Sequence, residues 1–254
     1  LIATYYYPIN VTNQYLKDAR VRKALSLVID RNYIVENVTK GGQKPAGGWI
    51  PYAVNDVEGD FRENAGDLYD ISKEGYNNNI AMAKQLLAEA GYPNGEGFPV
   101  IEFTTDPGNH VGIFEAVQQM WKEHLNIDSS ITQVDNALLG QRLLEKKFMI
   151  GRLYWSSDYM DPMSMMSLFV SYNTQNNGGY SNRKYDELIE RAASTGEQNI
   201  RMAAMHEAEK IFIEDMGAIP IYFYTEPLLV NPKLKGVVYN PLGFHRFNYA
   251  YLEK

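Results

Sequence analysis

The sequence contains no cysteine, which removes disulfides, thiol nucleophiles and thiolate metal sites from consideration. That absence suits an exported protein as well as a cytosolic one. Histidine is scarce. His110, His124, His206 and His245 are scattered, and none shows a ligand spacing such as HExxH, so structural or surface roles are the simpler reading and no metal is expected. Basic charge is in deficit too. With 24 Lys and Arg against 31 Asp and Glu, the formal net charge is −7, which argues against a nucleic-acid partner. No apolar run approaches the roughly 20 residues that span a bilayer. Gly41-Gly42, Gly47-Gly48 and Gly178-Gly179 match neither a P-loop nor GxGxxG, and there is no GxSxG elbow. No cofactor is expected.

What is present suffices for a sizeable core: 45% of the 254 residues are hydrophobic and 22% charged, enough for one large domain or one and a half smaller ones. Tyrosine is abundant, at 19 residues. Its rigid ring and polar tip suit ligand surfaces and cores alike. The opening LIATYYYPIN has neither an initiating Met nor a signal-like segment, which suggests a piece of a longer protein.

The pattern predicts a strand at 3–7 and a helix from Asp18 with apolar positions Val21, Leu25 and Val28. Asp30 then acts as a second N-cap before Gly41-Gly42 stops the run. A Pro/Gly turn region follows at 44–56, then a long surface excursion at 58–79 with room for a short helix. A helix is expected at 79–90, ended by Gly91. Strands at 100–105, 130–134 and 148–155 alternate with helices at 110–125 and 136–146, a βαβαβ unit that implies a mainly parallel sheet with covered faces. Later helices are expected at 183–193 and 197–215, with strands at 218–224 and 228–230.

The stretch FMIGRLYWSSDYMDP, 148–162, organises the rest. It is an apolar strand that runs into a polar loop and then a helix, with Asp161 as cap and Pro162 at the first helical position. Open α/β folds bind ligands at such strand ends. Arg152 and Asp158 flank the edge with opposite charges. They suit a surface salt bridge or loop hydrogen bonds. They equally suit recognition of a zwitterion, with a carboxylate for its ammonium and a guanidinium fork for its carboxylate. Six extended residues span at most about 20 Å, compatible with the two ends of a short peptide. Asp158 and Asp161 could also be imagined as a hydrolase pair, although capping already accounts for Asp161.

DARVRKALSLVIDRNYIV, GGQKPAGGWIP, AKQLLAEAGYPNGEGFP, WSSDYMDP, GGYSNRKYDELIERA and AEKIFIEDMGAIPIYFY together resemble, in the same order, the second half of the oligopeptide- and dipeptide-binding proteins of ABC importers, extracellular solute-binding family 5. The resemblance covers nearly the whole chain. It implies an α/β, class-II periplasmic-binding-protein fold that closes on a ligand between two lobes. Residues 1–220 would form the second ligand-binding lobe and 221–254 a return segment that contacts a first lobe lying outside this chain.

The resemblance further implies capture of short peptides, paired through their main chain in β-strand fashion, and delivery to membrane permease subunits without catalysis. The setting would be extracellular or periplasmic, with a lipid-anchored parent. Matched residue by residue, Asp158 would meet the peptide α-amino group, and Arg152 and His110 its C-terminus. Trp155 would wall a neighbouring pocket, and Tyr222 or Tyr224 would face the ligand from the interlobe strand. Within the same fold the alternatives are an oligosaccharide or a metal chelate. A carboxylate-based hydrolase is the rival from another class.

Overall fold

Three successive tyrosines, Tyr5, Tyr6 and Tyr7, lie in the first strand, β1 (Ala3–Pro8), all of whose residues are buried. The computed structural model describes residues 1–254 and explains that burial by position. β1 is an interior strand of a four-stranded antiparallel sheet. On one side it pairs with β7 (Ala218–Phe223), which carries the short edge strand β2 (Lys44–Pro45). On the other side it pairs with β6 (Leu153–Ser156). In register, Tyr154, Tyr5 and Tyr222 stand opposite one another, so their side chains rise from one face.

The βαβαβ unit is found. β3 (Ile101–Thr105), α5 (His110–Leu125), β4 (Ser129–Gln133), α6 (Asn136–Leu144) and β5 (Ile150–Gly151) build a parallel sheet of order β4-β3-β5. The expectation of a mainly parallel sheet therefore holds for three strands only. The larger sheet is antiparallel because strands remote in sequence close it, and local spacing carries no record of that pairing.

The expected single strand at 148–155 changes sheets at Arg152. Ile150 and Gly151 pair parallel with β3, and from Leu153 onward the chain pairs antiparallel with β1. Gly151 permits this close passage, since a Cβ there would lie 2.8 Å from a Leu143 methyl carbon.

Helix starts follow their caps. The Asp18 carboxylate accepts from the Arg20 amide at the head of α1 (Ala19–Leu27), and Asp30 accepts from the Tyr33 amide at the head of α2 (Arg31–Tyr33). The latter runs on as a π-helical turn, Ile34–Thr39. α4 (Tyr76–Glu89) packs on α1, three residues longer at its start than the pattern predicts. α8 (Arg183–Ala193), capped by Asn182, packs on α9 (Gln198–Glu214). The short α7 (Met163–Met166) follows Pro162.

Two expectations fail. The segment 58–79 does hold a short helix, but it is not simply a surface excursion. Within α3 (Phe61–Ala65), Phe61 and Arg62 are buried, and Arg62 makes a 2.6 Å ion pair with the buried Glu209 of α9. A basic residue in a polar stretch reads as exposed until its distant partner is known. No strand forms at 228–230, where Leu228, Leu229 and Val230 are exposed. The tail instead closes a two-residue ladder between β8 (Leu234–Lys235) and β9 (Tyr251–Leu252). The expected division at 220/221 falls inside β7. Beyond it Leu229, Phe244, Phe247, Tyr249, Tyr251 and Leu252 are exposed.

Candidate functional site

The seam between the two sheets gathers most of the singled-out residues. Arg152 lies where the chain changes sheets, its amide donating to the Thr104 carbonyl of β3. Its side chain is about nine-tenths buried. The guanidinium carbon lies 5.2 Å from the centre of the Tyr5 ring and 5.4 Å from that of Tyr154, within cation–π range. Its carboxylate partner is Asp106, in the loop after β3, with both oxygens 3.4 Å from one nitrogen, Nη1. That is longer than the 2.7–2.9 Å typical of a charge-assisted bond. Nε of Arg152 is buried without a hydrogen-bond partner.

His110 opens α5 beside them. Its Nδ1 is 3.3 Å from the Tyr5 hydroxyl, its Nε2 is 4.0 Å from Asp106, and its ring stacks on Tyr5 at 5.6 Å between centroids. Tyr5 stacks in turn on Tyr222 at 4.7 Å, and Tyr224 stands 5.2 Å from Tyr222 and 6.0 Å from Tyr154. The period-two alternation of β7 and its continuation sets Tyr222 and Tyr224 on the same face. Tyr222 is buried and Tyr224 half-buried.

Electrostatics follow from burial. Burial lowers the His110 pKa below its usual 6.5; the Arg152 charge adds to this and Asp106 opposes it. Burial also raises the Tyr5 hydroxyl well above its ordinary value. For Arg152, burial works against the charged form, but Tyr5, Tyr224 and Asp106 outweigh it and leave its pKa raised. The site therefore holds a guanidinium and the Asp106 carboxylate among phenols that stay protonated, beside an imidazole whose proton affinity is lowered. Such a surface receives a planar anion at its charged end and apolar or aromatic groups along its shelf.

Trp155 and Asp158 stand apart from this group. Trp155 follows Tyr154 on β6 and so points to the opposite face. It is half-buried, and its indole N–H donates to the Ser164 carbonyl at 3.0 Å. Asp158 is exposed. Its amide donates to Ser164 Oγ at 2.8 Å, while its carboxylate makes no hydrogen bond or ion pair. Arg152 and Asp158 do not form a salt bridge with each other. Asp161 accepts from the Met163 amide at 2.9 Å, the expected cap, and also pairs with Arg201 of α9 at 2.9 Å.

Sequence reasoning overlooked Asp106, Tyr5 and Tyr154 as members of the group. An acidic residue directly after a strand and four before the first residue of a helix was the available signal for Asp106. Neither tyrosine carried any, because their place depends on strand register.

The chain matches the family model of bacterial extracellular solute-binding proteins, family 5, over residues 2–177. It is 33% identical to the dipeptide-binding protein DppE of Bacillus subtilis over 97% of its own length and 45% of that protein's. Its fold resembles that of the Escherichia coli murein tripeptide binding protein MppA, with a TM-score of 0.83 and 30% identity, covering 100% of this chain and 48% of the other. Against Haemophilus influenzae OppA in complex with the peptide RPPGFSPFR, the TM-score is 0.81 at 27% identity, with 100% and 49% coverage. The chain thus spans about half the length of the curated relatives it matches.

Proposed function

Because this chain belongs to the bacterial extracellular solute-binding proteins of family 5, we propose that it is the second lobe of a two-lobed protein that captures short peptides and hands them to an ABC permease. The peptide C-terminus meets Arg152 and His110 at the sheet seam. Its α-amino group meets Asp158, and Tyr224 borders the groove over the buried Tyr222. Trp155 walls a pocket on the far side of β6. The first lobe packs on the segment from 221 onward and completes the groove on closure.

The observation that carries this reading is a buried guanidinium with an unpartnered Nε, set among tyrosine rings, with an unpaired carboxylate six residues on. The pair suits the two ends of one zwitterion, since Asp158 has no ion-pair partner and Asp106 holds Arg152 only at 3.4 Å. The exposed aromatic and aliphatic side chains between Leu228 and Leu252 support packing against a further part of the protein, since contiguous exposed apolar surface marks interaction sites. Relatives named for dipeptides, oligopeptides and a murein peptide support the ligand class.

The hydrolase reading finds less support, because Asp161 is committed to a helix cap and to Arg201. Asp158→Asn tests both readings in the two-lobed protein. Titration calorimetry is expected to show a loss of about 2–5 kcal/mol for peptides with a free amino terminus and little change for N-acetylated ones, which bind weakly from the outset. Equal losses for both ligands would refute the assignment of Asp158, and peptide turnover abolished by the substitution would favour the hydrolase.

A further inference from the structure

Asp106 has an unusual relation to Arg152. A carboxylate that forms the strongest pair with arginine places each oxygen on its own nitrogen. Asp106 instead directs both oxygens at Nη1, at 3.4 Å, and leaves the buried Nε unpartnered. The protein's own carboxylate therefore holds the guanidinium only through long contacts to one nitrogen, with the Tyr5 and Tyr224 phenols as its other polar neighbours. Asp106 also lies 4.0 Å from His110 Nε2, so it stands between two groups that can each balance its charge.

Without Asp106, a guanidinium about nine-tenths buried would have no counter-charge in the empty site, at a substantial desolvation cost. With Asp106 in place, the arriving carboxylate and Asp106 are two anions competing for one guanidinium. A proton on His110 restores the balance. The charged and titratable groups that face this imidazole are Tyr5 from β1, Asp106 from the loop after β3 and Arg152 from the sheet switch, with Tyr222 of β7 stacked behind Tyr5. Of these, Tyr5 stays neutral, since burial raises its pKa, so the charge on the imidazole answers to Asp106 and Arg152.

We infer that Asp106 is a specificity-determining counter-ion: it neutralises Arg152 in the empty site and passes to His110 when a ligand carboxylate displaces it from the guanidinium, so that carboxylate binding is coupled to uptake of a proton. The proton comes from solvent and adds to the imidazole. No bond other than that N–H forms, and ligand, Asp106, Arg152 and protonated His110 together carry no net charge. This rests on the peptide reading of the site given above.

The test is titration calorimetry of the two-lobed protein near neutral pH, with one peptide as free acid and as C-terminal amide, in buffers of different ionisation enthalpy. The free acid is expected to bind with proton uptake and the amide without it. Asp106→Asn is expected to bind the free acid about tenfold more tightly, to leave the amide little changed and to abolish the uptake. His110→Gln abolishes the uptake with Asp106 intact, which keeps the test independent of how well the Asp106 variant folds. If the wild-type protein does not distinguish acid from amide, the peptide-terminus reading fails and this inference with it. If it does distinguish them but takes up no proton, or if Asp106→Asn weakens both peptides alike, the inference alone is overturned.

Discussion

Removing Arg62 strands a charge in the core, and the cost can be worked from the contacts. Glu209 is fully buried, and its carboxylate is held by the Arg62 guanidinium at 2.6 and 3.2 Å and by the amides of Trp49 and Ile50 at 2.7 and 2.8 Å. Arg62→Met leaves that anion with two neutral donors. Breaking a buried pair from one side costs about 3–5 kcal/mol, a large part of the 5–15 kcal/mol typical of a folded protein. Glu209→Met removes the same attraction and also orphans the two amides. Two single losses would sum to about 6–10 kcal/mol if independent. The double variant Arg62→Met/Glu209→Met removes both charges together and leaves only the two amides short of an acceptor, at about 1–3 kcal/mol each. It should therefore be several kcal/mol more stable than that sum.

Urea unfolding followed by far-ultraviolet circular dichroism reads this out. With a slope of about 2–3 kcal/mol per molar, Arg62→Met should lower the midpoint by about 1–2.5 M. The effect also reaches the face proposed to bind ligand. Trp49, whose amide Glu209 holds, packs edge-on against Tyr6 at 4.9 Å, on the underside of the strand that bears Tyr5. Single variants should therefore weaken peptide binding even under conditions where they remain folded. A loss below about 1 kcal/mol for Arg62→Met, or additive single losses, would refute the reasoning.

Gly95 has φ +74° and a Cβ there would lie 2.3 Å from the Leu125 carbonyl oxygen, so Gly95→Ala should cost about 1–3 kcal/mol; an unchanged thermal midpoint would contradict this. Because burial depresses the His110 pKa below 6.5, the unfolded chain takes up that proton first as pH falls. The stability linked to His110 is full above pH 6.5 and is lost as pH drops from there through the folded-state value. Thermal scans across that window should show a steeper acid-side fall for wild type than for His110→Gln, and identical slopes would remove His110 as the source.

Much of the architecture was legible because it rests on local rules. Asp18 and Asp30 are recognisable N-caps, and each caps the helix that follows it. The helix His110–Leu125 has the bounds its periodicity predicts, since its buried positions Ile113, Phe114, Val117, Met120, Trp121 and Leu125 keep helical spacing. What escaped was set by distant partners. Arg62 and Arg31 are polar by composition yet nearly fully buried, Arg62 by its pairing with Glu209 and Arg31 by donating to the Pro220 and Ser26 carbonyls. The 228–230 run is apolar enough to suggest a strand, yet it has no partner strand and stays exposed.

The site divides along the same line. Arg152 and Asp158 stand out in the sequence because a polar reversal ends an apolar strand, and that signal lies within fifteen residues. The strand's change of sheet at Arg152 does not show, because it follows from the pairing of 150–151 with β3 and of 153–156 with β1. That change gives the site its character. The parallel sheet contributes groups that follow the end of β3, Asp106 and His110, while the antiparallel sheet contributes the tyrosine row from β6, β1 and β7. Arg152 joins the two sheets: its backbone amide is tied to β3, and its guanidinium lies over rings of β1 and β6. A displacement of one sheet against the other would alter the Arg152–Asp106 and Arg152–Tyr5 distances together. The charge state of the site is therefore bound to the geometry of the seam, and substitutions there should change ligand preference before they change stability.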